Sequence, residues 1–234
     1  MTSNTLLKVN ELSCQRGDKQ LFSDITFSVH EEQCWHIIGS NGSGKTSMLR
    51  QIAGLLDGGQ KPQSDAVQWL SHTTDPEASP APCFAYLGHS DGLKPELTAL
   101  ENLEFYNGFY STTYAYETAQ RSSSVDLDEY LHRVGILDCA DLLTKSLSFG
   151  QRRRLSLARV LLSQQPVWML DEPLTGIDVR GRELFISLFE EHLRTQGAIL
   201  LTHHQGLADS RLSPYLQELV IASATNNAMS MDAS

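Results

Sequence analysis

The chain has 234 residues, with 18 Lys and Arg against 28 Asp and Glu, a formal net charge of −10 and 41% hydrophobic residues. That length suffices for one large α/β domain with its own core. The acidic balance argues against a nucleic-acid partner, because phosphate backbones require a basic footprint, and no apolar run approaches the roughly 18 residues of a membrane span.

The first residues, Met1-Thr-Ser-Asn-Thr5, show no basic stretch leading into an apolar one, so no signal peptide is read there. Residues 6–12 and 25–29 alternate apolar with polar and predict two antiparallel strands, with a turn near Arg16-Gly-Asp18. Cys34-Trp-His-Ile-Ile38 reads as a buried strand and residues 47–53 as a helix. Residues 57–82, rich in Gly and Pro, read as loop around one short strand at 66–70. A strand follows at 84–87, then a helix over 97–109 opened by Thr98 as N-cap with Glu101 three residues on. Residues 111–124 are polar and predict a loop or frayed helix; 126–134 predict a helix capped by Asp126 and ended at Gly135. Residues 95–147 thus form a mainly helical insert. Beyond it come a helix over 151–162, a buried strand at 167–170, a helix over 182–194 and a buried strand at 198–201. One domain is expected over 1–221, with a disordered tail at 222–234. Cys14, Cys34, Cys83 and Cys139 show neither paired nor zinc-ligand spacing and read as reduced thiols of a cytosolic protein.

Between the strand at 34–38 and its helix lie Gly39, Ser40, Asn41, Gly42, Ser43, Gly44, Lys45 and Thr46, followed by Ser47. They fit G-x-x-x-x-G-K-[ST], the phosphate-binding P-loop. Glycines let backbone N–H groups converge on an anion, and the helix N-terminus adds partial positive charge. Lys45 would reach the β- and γ-phosphates and Thr46 would offer its hydroxyl to Mg²⁺. A glycine-rich turn without a ligand is the plainer alternative, and the strand–turn–helix context weighs against it. Val167-Trp-Met-Leu-Asp-Glu172 is an apolar strand ending in two carboxylates, the Walker B pattern. Asp171 can serve Mg²⁺, and Glu172 is placed to deprotonate an attacking water.

Leu147-Ser-Phe-Gly-Gln151 resembles the signature L-S-G-G-Q of ATP-binding cassette ATPases. A Ser-x-x-Gln helix cap would explain Ser148 and Gln151 but not their coincidence with both Walker motifs. The resemblance implies an α/β P-loop NTPase of the cassette (ABC) fold, with an N-terminal antiparallel β subdomain and a helical subdomain (95–147) inserted before the signature. It implies ATP and Mg²⁺ as ligands, and Ser148, Gly150 and Gln151 acting in trans on nucleotide held by a second copy, so that a homodimer is required. Asp178 of Thr175-Gly-Ile-Asp178 would contact the partner copy. A switch histidine should follow the strand at 198–201; His204 is preferred to His203 because Gln205 follows it. A pair of surface histidines is the plainer reading.

Two positions depart from the general family. His89 stands where a glutamine near Mg²⁺ is usual, and Arg16 where an aromatic usually stacks on adenine; a guanidinium can also stack on a base, or Arg16 is a solvated turn residue. With Phe149 in the signature, these departures and the run from Tyr86-Leu-Gly-His89 to Leu97-Thr-Ala-Leu-Glu-Asn-Leu103 resemble the ATPase subunit of the haem exporter of bacterial cytochrome c maturation. That implies integral membrane transporter subunits as partners, docked at the helical insert and the His89 loop. It implies a peripheral location on the cytoplasmic face of the bacterial inner membrane. The ATPase of another exporter, or a soluble cassette ATPase, are the alternatives.

Overall fold

The computed structural model describes residues 4–55, 66–70, 83–113, 125–204, 206–208 and 210–221. Its first element is a hairpin of two long strands, β1 (Thr5–Arg16) and β2 (Lys19–His30), turning at Gly17, whose φ of 60° suits a residue without Cβ. The hairpin register is broken by irregularities near Glu11 and Asp24. Both have positive φ, and their N–H groups donate to Thr26 Oγ1 and Ser13 Oγ across the strands. A short strand, β4 (Val67–Trp69), pairs antiparallel with β1, giving the order β2-β1-β4.

The second sheet carries the chemistry. It is parallel throughout, in the order β5-β6-β7-β3-β8, from β3 (Cys34–Ile38), β5 (Phe84–Leu87), β6 (Val167–Asp171), β7 (Ala198–Thr202) and β8 (Leu216–Val220). Every residue of β6 and β7 is buried, as strands covered on both faces must be. One face turns Ile37, Val167, Met169, Ala198 and Leu200 toward α1 (Lys45–Ile52) and the antiparallel sheet. The other turns Trp168, Leu170, Ile199 and Leu201 toward α4 (Phe149–Ser163) and α5 (Val179–Arg194).

Between β5 and α4 lie α2 (Ala99–Thr113), α3 (Leu127–Arg133) and two single 3₁₀ turns, Leu137–Cys139 and Thr144–Ser146. Thr98 and Glu101 cap α2 reciprocally, at 2.8 and 3.1 Å, and Asp126 caps α3 by accepting from the Glu129 N–H. Asn102, fully buried, closes this region: its amide donates to Lys94 O, Thr98 O and Thr144 Oγ1 while accepting from the Lys94 N–H. The four cysteines are buried and form no disulfide among the described residues, and burial pushes the Cys34 thiol up to about 12.

The structure differs from the sequence expectations mainly at element ends. The helix expected over 97–109 runs from Ala99 to Thr113, so the first residues of the stretch at 111–124, expected as loop or frayed helix, are helical. Strand β8, not foreseen, completes the parallel sheet beside β3. The expected tail at 222–234, most of the loop at 57–82 and residues 114–124 lie outside the described residues.

Candidate active site

Strand β3 delivers the chain to the loop at 39–44, and α1 leaves it. Gly44 is the N-cap of α1 in a left-handed conformation, φ 103°. A Cβ there would also meet Leu21 Cβ at 3.0 Å and Phe22 Cδ1 at 3.1 Å, because the hairpin packs directly on the loop. No side chain caps α1, so its first N–H groups remain available to an anion. Lys45 is 8% exposed and its ammonium donates to Gly39 O at 2.7 Å and Ser40 O at 3.1 Å. The buried Ser43 hydroxyl, in the same loop, has no hydrogen-bond partner among the described residues.

Strand β6 ends beside this loop. Asp171 Oδ1 accepts from Thr46 Oγ1 at 3.1 Å and from Thr202 Oγ1 at 2.7 Å. Thr202 faces Asp171 across the β6–β7 pairing, which is how a residue on β7 comes to hold the carboxylate. Glu172 follows with φ 50°. A residue with a Cβ in that region costs about 1–2 kcal/mol. Its N–H donates to Thr202 Oγ1 at 2.9 Å and its carbonyl accepts from Arg153 Nη2 at 2.9 Å, fixing the peptide on both sides. Glu172 Oε2 accepts from Thr175 Oγ1 at 2.9 Å and lies 3.4 Å from His203 Nδ1. Oε1 lies 3.3 Å from His204 Nε2, a charge-pair distance without hydrogen-bond alignment, so it is a buried acceptor without a hydrogen-bond partner among the described residues.

The two histidines therefore flank one carboxylate from different depths. The His203 side chain is 6% exposed and that of His204 54%. Burial is the main influence lowering the His203 pKa, and Glu172 opposes it. His36, in the middle of β3, bonds through Nε2 to the His203 carbonyl at 2.9 Å and so ties that strand to the turn.

The residues fit a Mg²⁺-nucleotide on the evidence of their unmet bonding capacity. A buried hydroxyl, a buried carboxylate oxygen, uncapped helix N–H groups and an ammonium surround one end of the sheet. Thr46 and Asp171, already in contact, form an all-oxygen donor pair of the kind Mg²⁺ takes.

The other expected site residues make contacts of other kinds. Ser148 and Gln151 form a reciprocal capping box at the start of α4, with Gln151 Nε2 also donating to Cys139 Sγ at 3.2 Å. The helix-cap reading is thus true of the pair, whatever else they do. Phe149 is 47% exposed and its ring lies against Gly176, where a Cβ would meet Phe149 Cε1 at 2.5 Å. A Cβ at Gly150 would meet nothing within 4 Å. Asp178 caps α5 by accepting from the Gly181 N–H at 2.7 Å, a bond within the chain. Arg16 at the end of β1 and His89 after β5 are both exposed. Sequence reasoning missed Thr202 and Arg153. Thr202 had no signal of its own, since only the β6–β7 register sets it opposite Asp171, and Arg153 looked like one of three adjacent arginines.

The ABC transporter family description matches residues 22–175. The Haemophilus influenzae protein named "Cytochrome c biogenesis ATP-binding export protein CcmA" is 41% identical over 208 residues, covering 88% of this chain and 92% of that protein. The protein of the same name from Mannheimia succiniciproducens is 40% identical over 220 residues, covering 91% and 94%. Among solved structures, the ATP-binding subunit of an ABC transporter superposes with a TM-score of 0.72 at 24% identity, covering 92% of this chain and 85% of that one. A nucleotide-free ATP-binding cassette superposes with a TM-score of 0.68 at 18% identity, covering 93% and 88%. These two share the fold.

Proposed function

The chain belongs to the ABC transporter family as an ATP-hydrolysing subunit, and on that premise we propose that it drives the haem-export complex of cytochrome c maturation. The observation that carries the catalytic part is the meeting of Lys45, Thr46, Asp171 and Glu172 at the C-terminal ends of β3 and β6. That is where ligands bind in open parallel α/β sheets. Identity of about 40% to the named export proteins supports the cellular role.

In this reading residues 1–221 are the ATPase domain, with the helical region at 95–147 as its partner-facing part. Gly39, Ser40, Asn41, Gly42, Ser43, Gly44 and Ser47 wrap the phosphates. Lys45 exchanges its two loop carbonyls for phosphate oxygens. Thr46 and Asp171 hold Mg²⁺, which would neutralise phosphate charge, with His89 near its water shell. Glu172 Oε1, lacking a hydrogen-bond donor in this structure, accepts the proton of the water that attacks the γ-phosphorus as the bond to the ADP oxygen breaks. His204 is the switch histidine, because a residue that touches the γ-phosphate must be accessible and His203 is buried. Arg16 stacks on the adenine.

Ser148, Gly150 and Gln151 complete the site of a second copy, so two ATP molecules are sandwiched in a homodimer. ATP favours closure because its γ-phosphate makes contacts that ADP lacks. No helix among the described residues is long and apolar enough to cross a membrane. The path across the bilayer then comes from integral membrane subunits, with this chain held peripherally on the cytoplasmic face of the inner membrane.

The deciding experiment is affinity capture from detergent-solubilised membranes, with Glu172→Gln and ATP holding the dimer closed. Recovery of cytochrome c maturation membrane subunits is expected. Recovery of an unrelated permease would retain the ATPase mechanism and overturn the haem assignment.

A further inference from the structure

Arg153 is 3% exposed and lies on α4, two residues past the signature. A buried guanidinium needs acceptors for its protons, and here they are backbone carbonyls from two segments. Nη2 donates to Asp171 O at 2.8 Å and Glu172 O at 2.9 Å, and Nε reaches Pro173 O at 3.4 Å. Nη1 donates to Gly88 O at 2.8 Å, immediately before His89. Asp91 Oδ1 stands 3.7 Å from Nη1 and supplies nearby negative charge. Three consecutive carbonyls of the Walker B turn thus converge on one planar cation. The central one belongs to Glu172, whose left-handed φ requires restraint from outside its own dihedral preference.

We infer that Arg153 is a positioning residue for hydrolysis: its guanidinium holds the Asp171–Pro173 turn so that Glu172 Oε1 faces the water, and ties that turn to the segment preceding His89. The inference rests on the reading of Glu172 as the base. A planar fork is required, because an ammonium is one point of charge and cannot meet carbonyls on two sides at these distances. Loss of the fork relaxes Glu172 toward an ordinary φ and swings its carboxylate, while the 39–46 loop keeps its own bonds.

The test is ATP turnover by the full chain in the complex with its co-purifying membrane subunits. Four forms are compared: wild type, Arg153→Lys, Glu172→Gln and the double variant. Arg153→Lys should lower kcat at least about tenfold with KM for ATP within about twofold, since the base moves and the phosphate cradle does not. In the Glu172→Gln background the same change should cost less than about twofold in single-turnover hydrolysis, because a residue acting through Glu172 has nothing left to act on. Wild-type kcat in Arg153→Lys, a rise in KM alone, or the same loss in both backgrounds would each overturn the inference. Normal turnover in Glu172→Gln alone would instead remove the reading of Glu172 as base. Arg153→Gln keeps two planar N–H donors and buries no charge. It should retain more turnover than Arg153→Lys, an order that burial of charge alone does not predict for kcat at constant KM, and the reverse order overturns the requirement for a planar fork.

Discussion

The loop at 39–46 and the turn at 147–151 both sit at a helix N-terminus, and both use small polar residues. Their surroundings differ. The loop is roofed by Leu21 and Phe22, floored by the parallel sheet and supplied with Asp171 and Glu172 from the end of β6, across β7. The turn has satisfied its own cap and faces outward, with Phe149 exposed and open space over Gly150. The first is a cradle completed by the chain itself. The second is a finished surface, and under the proposed dimer it would act on nucleotide held by a second copy.

That contrast is open to direct attack. Lys45→Ala strikes the cradle and should weaken ATP binding by about 100-fold, the scale of a lost charge-assisted contact. Unchanged affinity in equilibrium binding would mean that the loop, not its cation, holds the nucleotide. Acid titration asks whether stability resides elsewhere. His192 stacks on Trp168 at 3.8 Å, at the far end of the sheet, and burial pushes its pKa down to about 4. The unfolded chain, with an ordinary histidine, binds the proton first, so stability is full above about pH 6.5 and falls as pH drops toward 4. Between pH 7 and pH 5 about 2 kcal/mol should be lost. His192→Phe should flatten that slope in denaturant titrations while leaving ATP affinity alone. Gly150→Ala strikes the outward surface. The added methyl meets nothing and should stabilise α4 by about 0.5 kcal/mol. Under the proposed dimer, turnover should nonetheless fall about tenfold, as a Cβ would block close approach of nucleotide held by a second copy. A more stable protein with full turnover would show that the turn is no more than a cap. The smallest effect belongs to Arg16→Ala, which should weaken ATP binding about two- to fivefold, the range of one exposed stacking contact, with no change in melting temperature. An unaltered affinity assigns Arg16 to solvent.

Much of the cradle was legible because its parts are local. Gly39 to Thr46 with an apolar strand before and a helix after is a short-range pattern, and Asp171-Glu172 is another. The caps at Thr98, Asp126 and Ser148 were legible for the same reason. What could not be read depends on contacts between distant segments. Arg153 is one of three successive arginines, and only the packing of α4 over β6 sends it inward while Arg152 and Arg154 stay partly exposed. Thr202 needs the β6–β7 register to find Asp171. Strand β8 carries Gln217 and Glu218 between its apolar residues, a pattern too short and too polar to distinguish from a turn. The choice between His203 and His204 depends on depth, which adjacent residues do not encode.

Strand β3 lies between β7 and β8, although it precedes both by most of the chain. Residues 34–38 emerge early during synthesis and must wait for residues 199–202 and 216–220 before their ladder closes. The last of these bonds, from the Ile221 N–H to Ile38 O at 2.7 Å, is made at the threshold of the phosphate loop. Pairings so distant along the chain form late and slowly. A nascent chain halted before residue 216 would hold its hairpin and the whole phosphate-binding sequence yet have no firm seat for ATP. A firm seat for nucleotide is therefore expected only once residues 216–221 have joined the sheet beside β3.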